Sequence, residues 1–474
     1  MFQPILLLWK TETAFSYHEI GEEAAEEETF VVKPYDVVVV GGGPAGLNAA
    51  IAAGRKDKKV LLIERYGFLG GMSTIAGVYP WMTFHTESGD QVIKGIAEEI
   101  VQRLMARGAS PGHLRDTCGF VYSVTPYDPE VYKVLAVEML EEAGVDLLVH
   151  SFVDTVTAVD GEIQEIEITS KSGRQKIRGK IFIDATGDAD VAFLAGAPTI
   201  MGREGDQKTQ PMTMKFRMRG VDLAKVKEQI LKNPDNFYPK TPIAELRDLP
   251  LTAVQGFYKE WEEAGLPINR DQVLFFTGPA EDEVLVNMTR VQDLDATKVD
   301  DLTKAEYEGR KQVLMVADFL KKRIPGFERA SISSTATQIG VRESRRIVGE
   351  YILTQDDVVS GRKFEEAIAK SGYPIDIHAP SGKGMQIAWV EGDGSFDIPY
   401  GCLVPKKVNN LLVAGRCMSA THEAIAATRL TPSAMATGQA AGTAAALALT
   451  QNTIPKEIDV KELQKQLIAD GAVL

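Results

Sequence analysis

Four consecutive valines running into three glycines, Val37-Val38-Val39-Val40-Gly41-Gly42-Gly43, constrain the fold of this chain more than any other stretch. An unbroken β-branched run reads as a strand covered on both faces, as in a parallel sheet. The sequence continues Pro44-Ala45-Gly46, so the turn after the strand opens a helix. Gly41 permits a tight turn, Gly43 lets the backbone approach a pyrophosphate, and Gly46 lets the helix pack closely on the strand. Pro44 suits the first helical turn, and Ala45, Ala49, Ala50 and Ala53 give the helix a small-residue face toward the sheet. Its N-terminus offers free N–H groups to phosphate. Eighteen residues after Gly46, Glu64 ends a second apolar strand, where a carboxylate can accept hydrogen bonds from ribose hydroxyls. Strand, turn, helix and acid together predict a dinucleotide site; alone they do not choose between NAD and FAD.

Composition narrows the partners. The 474 residues are 44% hydrophobic and 25% charged, as in soluble globular proteins, and the length suits two domains. A net charge of -14 gives no basic field for a polyanion, so neither nucleic acid nor a membrane is an expected partner. A small anionic substrate stays open, because a local arginine cluster can outweigh the global charge. The three cysteines, Cys118, Cys402 and Cys417, have no CxxC spacing. That argues against a disulfide scaffold, a redox dithiol or an iron–sulfur site, and fits a cytoplasmic protein. Scattered histidines predict no metal. The apolar stretch 4–9 is too short for a signal-peptide core, and the acidic stretch 22–28 reads as a solvated leader.

Residues 1–33 form the expected leader, and 34–201 the first part of a nucleotide-binding domain. Within it, helices are expected near 92–105 and 129–143 and a strand near 145–152. A hairpin meander covers 154–159, 164–169 and 174–177, split by Asp160-Gly161 and Ser172-Gly173. A buried strand returns at 181–184. Between 202 and 399 the alternating runs 212–218 and 284–288 and the helical pattern 305–322 predict an inserted substrate domain. Residues 400–474 return to the first domain, with a strand at 411–415 and a last helix capped by Thr431.

Two further motifs extend the dinucleotide site. Asp184-Ala185-Thr186-Gly187-Asp188-Ala189-Asp190 ends a strand in small residues that let backbone pass close to ribose or pyrophosphate. Asn410-Leu411-Leu412-Val413-Ala414-Gly415-Arg416 precedes the Thr431 helix. With GGGPAGLNAA at 41–50, ERYGFLGGMST at 64–74, FIDATGDADVA at 182–192, QIGVRESRRIVGEY at 338–351, LLVAGRCMSATHEA at 411–424 and TRLTPSAMATGQAAG at 428–442, the chain from Tyr35 onward resembles the FAD-dependent oxidoreductase family, a distant relative of fumarate reductase and succinate dehydrogenase flavoproteins.

The resemblance implies an α/β fold: a Rossmann-like FAD/NAD(P)-binding domain of the glutathione reductase type, three-layer ββα, with an inserted α+β substrate domain. It implies FAD as cofactor, extended across the first domain with its flavin at the border of the second. The implied contacts are Gly41, Gly43, Pro44, Ala45 and Gly46, then Glu64 and Arg65, then Gly70, Gly71, Met72 and Ser73 at the ribityl and flavin edge. Val153, Ala185, Thr186, Gly187, Asp188, Gly415 and Arg416 follow. Arg416 stands where related enzymes carry a carboxylate for the ribityl hydroxyls, so its expected partner is a phosphate or the substrate. Ser433, Ala434 and Met435, at the start of the last helix, would direct N–H groups and a positive dipole end at the reduced flavin. Gly438, Ala441, Gly442 and Ala445 would pack that helix tightly on the sheet.

Hydride exchange needs a positioned substrate, a proton donor or acceptor, and positive charge where a carboxylate is involved. Arg429, in Ala427-Thr428-Arg429-Leu430, is similar to the arginine of an Ala-Asn-Arg-Leu element that faces substrate in fumarate reductase relatives. His422 is similarly placed to a substrate-contacting histidine there, though at longer spacing. These two are the expected catalytic residues; a lone histidine equally suits a buried structural role. Arg342, Arg345 and Arg346 form the densest positive cluster, read either as a clamp on an anion or as an ion-pair network with Glu343 and Glu350. Trp81, Met82 and His85 read as a flavin roof or as core, Tyr400 as a weaker acid and Cys417 as buried structure. The expected function is hydride transfer between flavin N5 and a small organic substrate, anionic or neutral. The electron acceptor is unspecified, and a homo-oligomer stays open. The competing expectations are a flavin-dependent monooxygenase and an electron-relay flavoprotein subunit of a larger complex.

Overall fold

A five-stranded parallel sheet forms the centre of the computed structural model, which describes residues 34–474; the expected leader lies outside the described residues. Its strands are β1 (Tyr35–Val40), β2 (Val60–Ile63), β3 (Asp146–Leu148), β4 (Gly179–Asp184) and β5 (Leu411–Val413). They lie in the order β5-β4-β1-β2-β3, every pair parallel. Helix α1 (Pro44–Gly54) follows β1 directly.

The valine run divides its side chains between two layers, because successive residues of a strand face opposite ways. Val37 and Val39 join Ala49 and Ala53 of α1 in one core. Val38 and Val40 join Ile166 and Ile168 of an antiparallel meander, formed by Phe152–Val159, Glu162–Ser170 and Gly173–Ile177, in another. Both faces are covered, which is why the run shows no polar alternation. Meander, parallel sheet and helices make the three-layer ββα arrangement.

A second antiparallel sheet, with strands Ala253–Gly256, Val273–Thr277, Val284–Val286, Phe216–Arg219 and Ser331–Thr335 in that spatial order, packs with helix α2 (Val299–Arg323) around its own core. That core runs from Met212 to Val341. Leu353, Ile368, Ile398 and Val404 pack instead into the core beneath the parallel sheet.

Helices α3 (His422–Thr428) and α4 (Thr431–Gln451) follow β5; α4 is not the last helix as the sequence suggested, since Val460–Ala469 forms another after it. Leu430, not Thr431, occupies the N-cap of α4; Thr431 is already helical and its side chain makes no capping hydrogen bond. The Thr431 hydroxyl lies 3.4 Å from Ser73 Oγ instead. Helix α4 approaches α1 so closely that a Cβ on Gly442 would come within 2.1 Å of the Ala49 carbonyl oxygen. Among the described residues, no helix is long and apolar enough to cross a membrane.

Candidate active site

One continuous cavity runs from the glycine turn after β1 to the second sheet. Of the residues singled out in the sequence, Gly41, Gly43, Pro44, Ala45, Glu64, Arg65, Gly71, Met72, Val153, Ala185, Thr186, Gly187, Gly415, Arg416, Ala434 and Arg429 line it. Gly46, Gly70, Ser73, Asp188, Ser433 and Met435 stand behind that lining. A Cβ on Gly46 would lie 1.8 Å from the Gly41 carbonyl oxygen. Gly70 N–H donates to the Gly42 carbonyl at 2.9 Å. Ser73 Oγ accepts from the Trp81 indole at 3.1 Å. Asp188 pairs with Arg416 at 2.9 Å, Ser433 Oγ donates to Ser371 Oγ at 3.0 Å, and Met435 is fully buried.

The nucleotide half has the shape of a phosphate cradle. Gly41 has φ +100°, and a Cβ there would lie 2.5 Å from the Ala185 carbonyl oxygen, so only glycine fits. Gly43 differs: its φ is -73°, and a Cβ would meet only Gly71 Cα at 3.7 Å. The protein leaves open the space that a pyrophosphate would take. No side chain caps α1, whose first residues border the cavity, as an anion-accepting helix start requires. Glu64 Oε2 accepts from Gly42 N–H at 2.7 Å and Oε1 from Tyr66 N–H at 2.9 Å, which fixes the carboxylate at the end of β2, beside the glycine turn. Burial pushes the Glu64 carboxyl above its usual range, against those two donors. The residues present fit a dinucleotide.

The other half of the cavity is cationic. Thr213, Lys215, Asn287, Arg342, Tyr373, Asp376, His378 and Arg429 line it. Arg429 caps the C-terminus of α3; its Nη2 donates to Gln210 Oε1 at 3.3 Å and to the Asp376 carbonyl at 3.4 Å, while its buried Nε has no partner. Arg342 donates to the Pro211 carbonyl at 2.7 Å and to the Thr213 hydroxyl. Asp376 Oδ1 and Asn287 Oδ1 are also buried without partners. Asp376 Oδ2 accepts from Tyr373 OH at 3.3 Å and lies 3.4 Å from His378 Nε2. Burial opposes ionisation of Asp376, but His378, Arg429 and Arg342 outweigh it and hold the carboxyl well below the usual carboxylate range. Burial pushes His378 down to about 3, so its ring is neutral at neutral pH. Burial, reinforced by Arg342, Arg429 and Arg217, pushes Lys215 down to about 7.

The arginine cluster of 342–346 divides its roles. Arg342 faces the cavity. Arg345 binds Asp190 and the Asp188 carbonyl, and Arg346 forms a buried ion pair with Glu343. His422 belongs to that network: its Nδ1 lies 2.9 Å from Glu343, and it does not border the cavity. Met82 lines the cavity. Trp81 stacks on Tyr127 in the core at 4.1 Å between ring centroids, His85 Nδ1 lies 2.7 Å from Ser123 Oγ, and Tyr400 OH donates to the Pro455 carbonyl at 2.7 Å. Sequence reasoning missed Lys215, Asn287, Tyr373, Asp376 and His378. One signal was available: strand Ile375–His378 alternates apolar and ionisable residues, which puts Asp376 and His378 on one face.

A glycine-turn cradle joined to a cationic chamber defines a dinucleotide-dependent enzyme class. The family model for FAD dependent oxidoreductases matches residues 36–467, and the chain belongs to that family. FAD is its cofactor. The chain is 43% identical over 61 residues to a ferredoxin–NADP reductase of Leuconostoc citreum, covering 13% of this chain and 17% of that one. It is 33% identical over 82 residues to the 4-oxocyclohexanecarboxylate 2-dehydrogenase of Sinomonas cyclohexanicum, covering 17% of this chain and 14% of that one. These matches therefore span less than a fifth of either relative. Among solved structures, a geranylgeranyl bacteriochlorophyll reductase-like protein of Thermoplasma acidophilum aligns over 93% of this chain and 84% of its own, at 15% identity and a TM-score of 0.48.

Proposed function

We propose that the protein is a dehydrogenase or reductase of a small carboxylate-bearing molecule, which Arg429 and Arg342 hold beside the cofactor. FAD supplies a two-electron acceptor or donor for one hydrogen of the substrate, transferred as hydride at N5. The observation that carries the reading is Arg429: a cavity-lining guanidinium with an unpartnered buried Nε, in the same cavity as Gly43 and Gly71. An unsatisfied buried donor is costly unless a ligand completes it, and a planar guanidinium suits a carboxylate. Arg342 adds a second cation and leaves Asp376 to be balanced by the protein itself. Thr431 and Ala434, in the first turn of α4, bring the positive end of that helix to the same cavity.

The test is an absorbance titration of the yellow holoenzyme with malonate and with its neutral diamide. The expected result is a saturable perturbation of the flavin spectrum by malonate alone; an equal response to the diamide would overturn the carboxylate reading. Anaerobic screening of hydroxy, amino and saturated carboxylates for bleaching then finds the substrate. Bleaching by NAD(P)H with oxygen uptake, and by no carboxylate, would favour a monooxygenase instead.

A further inference from the structure

We propose that Lys215 is the acid–base group of the substrate chamber, carrying the proton that accompanies hydride transfer to or from the bound carboxylate. The proposal rests on the carboxylate reading above and adds the proton carrier to it.

Geometry singles this residue out. Lys215 directly precedes the strand Phe216–Arg219, and its backbone carbonyl is fixed by Ala336 N–H at 2.9 Å. Its side chain borders the chamber with Thr213, Asn287, Arg342 and Arg429. Its ammonium has no hydrogen-bond or ion-pair partner among the described residues; only burial and three neighbouring guanidiniums act on it. The other ionisable groups of the chamber are committed. Arg342 and Arg429 hold backbone and side-chain acceptors, and a guanidinium does not release its proton near neutral pH. His378 is held by Arg290 at 3.1 Å and by Asp376. The Tyr373 hydroxyl donates to Asp376 Oδ2; Asp376 Oδ1 has no partner, but His378, Arg429 and Arg342 hold that carboxyl well below the usual carboxylate range, so it stays ionised and is a weak base near neutral pH. Arg217, the third cation near Lys215, is paired with Glu283 at 2.8 Å. Lys215 is thus the chamber group that is both free and able to exchange a proton, on a flexible stem that can follow the substrate. Its position near 7 suits proton exchange at neutral pH.

The step balances. In oxidation, the substrate gives one hydrogen with its bonding pair to the cofactor as hydride and a second, as a proton, to the Lys215 amine. A new π bond joins the two substrate atoms, and Lys215 becomes an ammonium. In reduction the ammonium returns the proton. The class of molecule that meets these demands is a carboxylate whose oxidisable C–H adjoins an O–H, N–H or second C–H.

Glyoxylate, an anionic aldehyde, probes the arrangement without knowledge of the substrate. Its carboxylate would occupy the arginines and its carbonyl condense with an unprotonated amine, to be trapped by cyanoborohydride and located by peptide mapping of the holoenzyme. Surface lysines remain almost fully protonated at about pH 7. The expected result is preferential labelling of Lys215 there, rising through neutral pH and blocked by malonate. Lys215→Met should lose the label, keep its FAD, and bleach about 100-fold more slowly with the substrate found by screening; Lys215→Arg should not recover the rate. Malonate binding without preferential Lys215 labelling would overturn the proposal alone. Absence of any malonate response would overturn the carboxylate reading and the proposal with it.

Discussion

The carbonyl oxygen of Ala45 lies where a Cβ on Gly438 would approach within 2.1 Å. Both groups are helical backbone, so neither can move aside cheaply. This contact between α1 and α4 brings the start of α4 to the same cavity that the glycine turn opens. Gly438→Ala should therefore separate the helices, costing about 1–3 kcal/mol and weakening FAD retention. Thermal melts and flavin content of the purified variant check this; an unchanged melt would contradict the contact.

Gly43→Ala should behave in the opposite way. Its φ of -73° is open to alanine and no protein atom crowds the added methyl. The apoprotein should melt as wild type while FAD affinity falls, because the methyl occupies the pyrophosphate space. Calorimetry with and without FAD separates the two effects.

Glu343→Gln should destabilise the fold without touching the cavity wall. The side chains of Arg346 and Glu343 are 2% and 0% exposed, and His422 shares the same carboxylate. Removing its charge leaves a buried guanidinium uncompensated, at a cost of about 3–5 kcal/mol. Denaturant unfolding measures the loss; a variant as stable as wild type would exclude this network as a structural brace.

Arg429→Ala should retain FAD and lose malonate. A charge-assisted hydrogen bond is worth about 1.5–3 kcal/mol, so the malonate dissociation constant should rise about 10- to 100-fold. Arg429→Lys, which keeps charge but not the planar fork, should recover only part of that affinity.

Lys215→Met should change how stability depends on pH. With Lys215 held at about 7 in the native state, the unfolded chain binds more protons from there up to the ordinary lysine range, near about 10. Wild-type stability therefore gains across that interval from this group, and pays for its burial below it. The methionine variant should show its largest excess in melting temperature below neutral pH, shrinking as the pH rises toward about 10. A pH-independent difference would refute the shift.

The nucleotide half was legible because its signals are local. Val37 to Val40 declare a doubly covered strand in four residues, and Gly41, Gly43 and Gly46 state the turn within six more. Gly438 and Gly442 declare a packed face of α4 for the same reason, although that face meets the backbone of α1 and not the sheet. Of the cationic half only Arg429 and Arg342 were legible; the rest is assembled from single residues far apart in the chain. Lys215, Asn287 and Asp376 carry no motif; only tertiary packing brings them to one chamber with Arg342 and Arg429. Arg342 and Arg346 are near neighbours in sequence, yet one faces the cavity and the other is buried against Glu343. Charge density alone could not sort them. Thr431 read as a cap for its chemistry, but its hydroxyl sits against Ser73, Leu430 is the N-cap and Thr431 is already the first helical residue.

The strands and helix around Met212 to Val341 close on an apolar centre of their own while lending Thr213, Lys215 and Asn287 to the chamber. Exchanges at those inward positions can alter which molecule is accepted while β1, its glycine turn and the α1–α4 contact stay as they are. Under the proposed function, specificity and cofactor loading are thereby separable traits of a single polypeptide, open to change one at a time.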